Sequence, residues 1–422
     1  MCIRDSNRTE IYYEFENHLG EEKKIFHLIM TCLVKYKHYS EGLSPYVDAK
    51  NGSYYVSKHL FRIKSSLPTI STCIESGASI TLMSHLGRPN GKQESCSLRH
   101  VLNETQKVLG LNVLFAGDAL GQKTEDLISA LKPGQVLLLE NLRFYPEETS
   151  GDEMFAKKLA SYADCYINDA FGTAHRAHAS TTIIAKFFKN NKYSGHLLSK
   201  EVDSIKKVLK TGKKPVLAIL GGAKVSSKIT IIESVLNKVD EIIIGGGMSF
   251  TFIKALGGQI GESICEDDKL NLALSILEKA KQKGVIIHLP LDVICSKEFS
   301  DDGDKKTANI NNIPPNWQGL DAGPKSREAF AKVVNRAKTI LWNGPIGVFE
   351  LKSFSSGTIE LGESIIESTK NGAFSLVGGG DSVSAVKKFN FQDGVSYVST
   401  GGGAMLESLE GKELPGIAAL SN

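Results

Sequence analysis

Val216-Leu217-Ala218-Ile219-Leu220-Gly221-Gly222-Ala223-Lys224 is the stretch that decides the fold. An unbroken apolar run of this length suits a strand buried on both faces, the mark of a parallel sheet; a half-exposed strand would alternate. Glycine just past a strand end lets backbone N–H groups approach a ligand, and a following helix directs its positive end there. The pattern recurs. Ile242 to Ile244 runs into Gly245-Gly246-Gly247, Ile340 to Trp342 into Asn343-Gly344-Pro345, and Phe374 to Val377 into Gly378-Gly379-Gly380-Asp381. A single cluster says only that a βα turn is tight. Four of them, with a lysine and an aspartate set among them, predict a phosphate- or nucleotide-binding rim at the carboxyl edge of one sheet.

Around that half, composition sets the bounds. A chain of 422 residues is long for one core, so two domains are expected. The formal charge of +3 is too small to point to nucleic acid as a partner. Seven of the nine arginines nevertheless lie within the first 176 residues (Arg4, Arg8, Arg62, Arg88, Arg99, Arg143 and Arg176). This bias predicts an anion-binding first domain beside a nucleotide-binding second one. Seven scattered cysteines with no CxxC pair argue for reduced thiols and against a disulfide or zinc framework. The apolar run Ile25 to Val34 falls well below the roughly 20 residues of a membrane span. Lys23 and Lys24 precede it, but no signal-type cleavage site follows. The expectation is a soluble cytoplasmic protein, with no membrane partner and no reason to expect an oligomer.

Residues 1 to about 48 carry little that predicts a domain, and Lys35 to Tyr39 shows neither strand nor helix period. The opening Met1-Cys2-Ile3-Arg4-Asp5-Ser6 resembles the in-frame translation of a sequencing-library adaptor. From Arg62 the pattern settles. Leu67 to Glu75 predicts a helix ended by Gly77. Ile80 to Met83 predicts a strand running into Ser84-His85-Leu86-Gly87-Arg88-Pro89. Val136 to Leu139 leads to Glu140-Asn141-Leu142-Arg143-Phe144, and Tyr166 to Ile167 to Asn168 through His178. Three strand ends thus carry Arg88, Arg143 and Arg176, with Arg62 ahead of a helix. Each alone could be a surface ion pair; their repetition at strand ends predicts convergence on a phosphate or carboxylate, whose oxygens match the guanidinium fork. His85, His175 and His178 lack a third ligand at metal spacing, so a structural or anion-contacting role is expected.

Residues 198 to 213 predict an amphipathic linker helix and hinge, and Asp301 to Ala322 a loop-rich insertion with a solvated acidic run. A P-loop signature is absent, as is a clean dinucleotide fingerprint, so a dehydrogenase reading leaves the arginines unexplained. Lys224 and Lys228 suit nucleotide phosphates. Asp381 suits magnesium, a helix N-cap, or both. Glu350 sits where a ribose contact is conceivable. An anion-binding half, a magnesium-nucleotide half and a helix between them form the arrangement that phosphoryl transfer needs.

The chain resembles the phosphoglycerate kinase family through Ser84–Pro89, Glu140–Phe144, Asn168–His178, Leu220–Lys228, Gly245–Phe250, Trp342–Glu350, Gly378–Ser382 and Leu414–Asn422. The resemblance implies two doubly wound parallel-sheet α/β domains joined by a hinge helix. It implies reversible phosphoryl transfer between 1,3-bisphosphoglycerate and ADP, giving 3-phosphoglycerate and ATP, with Mg2+ bound as Mg-ADP or Mg-ATP. Arg62, His85, Arg88, Arg143 and Arg176 would hold phosphoglycerate, with Arg62 and Lys224 following the phosphoryl group in flight. Lys228 would hold nucleotide phosphates, and Asn343 would lie near them. Gly245, Gly246, Gly319 and Leu320 would form the adenine and ribose pocket, and Glu350 would contact the ribose. Gly379, Gly380, Asp381 and Ser382 would form the magnesium-phosphate turn, with serine where the family more often has threonine. The implied layout is an atypical segment 1–46, a phosphoglycerate domain 47–197, a nucleotide domain 198–404 and a return 405–422 to the first domain.

One departure stands out. Where the family has a strand ending Arg-Val-Asp-Phe-Asn-Val-Pro, this chain reads Ser40-Glu41-Gly42-Leu43-Ser44-Pro45. The expectation is therefore a missing inner strand, a missing substrate-binding pair, and a segment 1–46 of artefactual origin. The alternative that follows is a non-catalytic nucleotide-binding protein.

Overall fold

The computed structural model describes the backbone of Leu28–Tyr36 and residues 63 to 421. The chain forms two units. One comprises residues 203–412 and the other the rest of the described residues, including 413–421. The passage from one to the other falls inside the helix His196–Leu209.

The first unit is built on a six-stranded sheet. Its strands are β1 (Leu28–Tyr36), β2 (Ala78–Leu86), β3 (Val113–Phe115), β4 (Val136–Leu138), β5 (Cys165–Asn168) and β6 (Lys192–Ser194), in the order β3-β4-β2-β1-β5-β6. Every residue of β2, β4 and β5 is buried, the polar Ser79, Thr81, Ser84, His85 and Asn168 among them, as strands covered on both faces require. Ile80, Leu82, Val136, Leu138, Tyr166 and Ile167 lie in one core with Phe155, Leu159 and Ile184.

The expectation of a missing inner strand is corrected by this sheet. Leu28–Tyr36 fills the slot between β2 and β5, and it runs antiparallel to both while all other pairs of the sheet are parallel. β2 and β5 each present a row of backbone donors and acceptors to that slot, and buried backbone groups must find partners. The segment Leu-Ile-Met-Thr-Cys-Leu-Val-Lys-Tyr supplies them, with Leu33 opposite both Thr81 and Tyr166. The readings placed on residues 37–62, Arg62 among them, lie outside the described residues.

The second unit contains β7 (Val216–Leu220), β8 (Glu241–Ile244), β9 (Gln259–Ile260), β10 (Ile286–His288), β11 (Asp292–Ser296), β12 (Lys305–Asn309), β13 (Asn312–Ile313), β14 (Gln318–Ala322), β15 (Thr339–Asn343), β16 (Phe374–Val377) and β17 (Tyr397–Val398). The main sheet, β10-β8-β7-β15-β16-β17, is parallel throughout. A central position goes to the run Val216–Leu220, β7, paired with β8 and β15.

The predicted loop-rich insertion is instead ordered as strands. β12 and β14 flank β11 in a small antiparallel sheet, and β13 pairs with β9. β12 is the polar Lys-Lys-Thr-Ala-Asn, with alternate residues exposed, so it has no apolar run to announce it. Nor is the acidic run merely solvated: Asp301 accepts hydrogen bonds from the backbone N–H groups of Lys352 (3.2 Å) and Ser353 (2.7 Å).

Candidate active site

In the first unit the arginines sit where three strands end. Asn141, just past β4, donates through Nδ2 to the carbonyls of Leu86 and Cys96, both at 2.8 Å, and accepts from the Arg143 N–H at 3.0 Å. It thereby ties the loop after β2 to the loop after β4. Arg143 Nη1 donates to the Gly87 carbonyl at 2.8 Å, beside Arg88. Burial lowers the Arg143 guanidinium to about 10, with the nearby charges of Arg176 and Arg88 adding to the effect and Glu148 opposing it. Three of the four predicted arginines are therefore brought together. His85 is buried at the end of β2.

His175 and His178 belong to the same cluster. Burial first, then the Arg176 charge, holds His175 at about 4; burial with Arg143, Arg176 and His175 holds His178 at about 3. Both are neutral near pH 7, and His175 Nε2 accepts from Arg176 Nε at 3.2 Å. Beneath them lies Glu148, which sequence reasoning missed. It is fully buried, accepts from Ser180 Oγ (2.6 Å) and Ser180 N (3.0 Å), and lies 3.8 Å from His178 Nδ1. Burial raises its carboxyl to about 7. Its only sequence signal is a glutamate just after Arg143 and Tyr145 in a short helix, a position that looks solvated.

Asn168 and Asp169 are largely architectural. Asn168 Nδ2 donates to Thr181 O (3.0 Å) and Gly416 O (3.3 Å), while Asp169 accepts from Thr69 Oγ1 (3.0 Å) and Leu198 N (2.9 Å). The tail from Pro415 is thus tied to this unit, and the start of the linker helix is set on its sheet.

In the second unit the glycine clusters collect at one sheet edge around Asn343. Asn343 O accepts from Gly221 N at 3.0 Å, and its Nδ2 donates to Gly378 O at 2.8 Å, joining the ends of β7, β15 and β16. Its Oδ1 accepts from Lys228 Nζ. The glycines are needed for close approach. A Cβ on Gly221 would lie 2.0 Å from the Pro345 carbonyl; Gly379 has φ +92°, and its Cβ would meet Asn343 Nδ2 at 2.7 Å. Burial lowers Lys228 to about 8, while the charge of Asp381 pulls it upward. Lys224 is exposed. The two lysines share no helix, because residues 224–228 form a turn ahead of Ile229–Val235.

Asp381 is an exposed residue in the first turn of the helix Gly380–Lys388, just past β16. Ser382 is buried, with its hydroxyl accepting from Gly344 N at 2.5 Å, so here it helps hold the turn. Gly245 and Gly246 follow β8, where Gly245 packs on Ile346. Gly319 and Leu320 lie in β14; a Cβ on Gly319 would strike the Phe250 ring at 2.3 Å. Glu350 is exposed at the end of the turn after β15. Among the described residues no group of three His, Cys, Asp or Glu is arranged to hold a metal by itself.

The family model described as phosphoglycerate kinase matches residues 56–412. The chain belongs to the phosphoglycerate kinase family. It is 52% identical over 383 residues to the phosphoglycerate kinase of Porphyromonas gingivalis, covering 85% of this chain and 92% of the relative. It is 51% identical over 359 residues to a Triticum aestivum relative named as cytosolic, covering 85% and 89%. Among solved structures, phosphoglycerate kinase from Coxiella burnetii superposes with a TM-score of 0.79 at 43% identity, covering 86% of this chain and 90% of that one. The doubly wound α/β fold that the resemblance implied is the fold of this family. No described helix is long and apolar enough to cross a membrane.

Proposed function

We propose that the chain catalyses reversible transfer of the acyl phosphate of 1,3-bisphosphoglycerate to ADP, giving 3-phosphoglycerate and ATP. It is a phosphotransferase with a carboxyl acceptor. The observation that carries this reading is the 52% identity to a phosphoglycerate kinase over 85% of the chain, with the family match at residues 56–412 holding both the arginine-bearing strand ends and the glycine rim.

The chemistry follows from the two sets of groups. Arg88, Arg143 and Arg176, with His85 and the neutral His175 and His178 nearby, form a site for a small molecule carrying phosphate and carboxylate. A guanidinium pushed down by burial and like charge gains most from an anion, which relieves both effects. Lys228 and the N–H groups of the glycine turns suit the nucleotide phosphates, with Lys224 next to the phosphoryl group that moves and Asn343 fixing Lys228. Gly245, Gly246, Gly319 and Leu320 would border the base, and Glu350 the ribose. The exposed carboxylate of Asp381 beside Gly379 and Gly380 fits a magnesium ion that takes most of its oxygens from phosphates and water. When bound, that ion would offset phosphate charge. Arg62 is assigned to the phosphoryl group by family resemblance alone. Phosphoryl transfer needs no covalent enzyme intermediate, so positioning and charge stabilisation by these groups suffice. Bending in the helix His196–Leu209 would accompany turnover. The same reading takes the protein as a cytoplasmic monomer acting on small molecules.

A coupled assay tests this directly. ADP should appear only when ATP, magnesium and 3-phosphoglycerate are all present. Nucleotide binding with no phosphoglycerate-dependent ADP would favour the non-catalytic alternative.

A further inference from the structure

The turn from Gly344 to Glu350 leaves β15 and ends on the proposed ribose contact. Two charged side chains outside the predicted site grip it from different directions. On one side is Asp321 in β14, whose residue is only 3% exposed. Its Oδ2 accepts from Gly357 N at 2.8 Å and its Oδ1 from Ala322 N at 2.9 Å, tying β14 to the start of the helix Ser356–Lys370. The turn closes against this carboxylate: a Cβ on Gly347 would lie 1.9 Å from Asp321 Oδ1, and one on Gly357 2.3 Å from it. Two positions thus omit a side chain to seat one carboxylate. Next to it, Val348 N donates to Leu320 O at 2.9 Å.

On the other side is Lys388, at the end of the helix that begins with Gly380 and Asp381. Its Nζ donates to Phe349 O (2.8 Å) and Glu350 O (3.0 Å), and its ammonium lies 5.9 Å from the Phe349 ring centroid. A lysine that caps two consecutive carbonyls fixes the peptide planes that carry the Glu350 side chain.

We infer that Asp321 and Lys388 are positioning residues that hold the Glu350 turn in its nucleotide-binding shape, and so set nucleotide affinity without touching the nucleotide. The inference rests on the reading of Glu350 as a ribose contact. A purely structural role would lower stability and affect both substrates alike; a positioning role acts on the nucleotide alone.

The test uses the full chain with Asp321→Asn, Lys388→Met and Lys388→Arg. Asparagine keeps the shape of aspartate but cannot accept both backbone N–H groups as well, and Lys388 is exposed, so its replacement leaves the core intact. Dissociation constants for Mg-ADP come from calorimetry, and KM values for Mg-ATP and 3-phosphoglycerate from the coupled assay. The expected result is a rise of about tenfold for Asp321→Asn and about three- to tenfold for Lys388→Met in both nucleotide constants. KM for 3-phosphoglycerate should stay within about twofold, and Lys388→Arg should stand near the parent. Equal movement of both KM values, or unchanged nucleotide constants in a folded Lys388→Met, overturns the inference. Failure of Asp321→Asn to fold, with Lys388→Met unaffected in nucleotide binding, overturns it too. A parent chain that binds Mg-ADP but never turns over would sink the proposed reaction, and the Mg-ADP affinities of the variants would still decide the role of these two residues.

Discussion

Arg143 and Glu148 show opposite responses to the same burial. Arg143 keeps its charge at neutral pH and spends one N–H on Gly87 O, leaving the rest of its fork for an anion. Arg143→Met should raise KM for 3-phosphoglycerate about ten- to a hundredfold, the equivalent of roughly 1.5–3 kcal/mol for a lost charged hydrogen bond, with Mg-ADP affinity unchanged. Steady-state kinetics with calorimetry checks it; a uniform loss for both ligands would contradict it. Glu148 is held near 7 instead of the ordinary 4.5. Between those values the folded chain keeps a proton that the unfolded chain has released, so this group's contribution to stability falls as pH rises from 4.5 through 7. His178, pushed down to about 3, works the other way, and its contribution is lost as pH falls below 6.5. Urea unfolding of the parent and of Glu148→Gln at about pH 5 and about pH 8 isolates the carboxyl. The parent should lose on the order of 2–3 kcal/mol relative to the variant across that interval; parallel curves would refute the assignment. At this scale the sequence showed the groups to which ligand contacts are assigned, since Arg88, Arg143, Lys228 and Asp381 follow strand ends that periodicity reveals. It hid Glu148, Asp321 and Lys388, whose roles depend on partners 32 residues away (Ser180), 36 away (Gly357) and 39 away (Phe349).

Among the elements, the strand ends were legible and the polar strands were not. β7, β8, β15 and β16 announce themselves because they are buried almost throughout, on both faces, and nearly every residue must be apolar or small. β12 has one face in water and carries no such run. β1 escapes a reading of the sequence for another reason: the slot it fills is defined by β2 and β5, distant in sequence, and its antiparallel direction has no local signature. Leu33→Pro tests its place. Proline inside a central strand removes ladder hydrogen bonds and should cost about 3 kcal/mol or more. Phosphoglycerate binding should be lost while Mg-ADP binding persists, since β1 belongs to the first unit alone. Retained phosphoglycerate binding would show that β1 is dispensable. In the second unit, Gly379→Ala should weaken Mg-ADP binding at least about tenfold and lower stability by about 1–3 kcal/mol. The left-handed φ is strained for alanine, and its methyl group collides with Asn343 Nδ2. Calorimetry and thermal melting together check it, and an unchanged affinity would contradict the role given to this turn.

At the scale of the molecule, the chain divides into two units, each with one set of the candidate site groups near the strand ends of its own sheet. That division was legible from arginine crowding the first part and glycine-ended strands filling the second. The passage between them falls in the helix His196–Leu209, which overlaps the linker helix expected over residues 198 to 213. Activity turns on whether an inner strand of reversed direction, bringing none of the family's aspartate–asparagine pair, leaves the first unit competent. The decisive measurement is the turnover number of the 422-residue chain in the 3-phosphoglycerate-dependent assay, beside the same chain with residues 1–46 replaced by the family's inner strand. Phosphoglycerate-dependent turnover by the chain as written is the predicted result. Activity from the replaced chain alone, with Mg-ADP binding equal in the two, would contradict it.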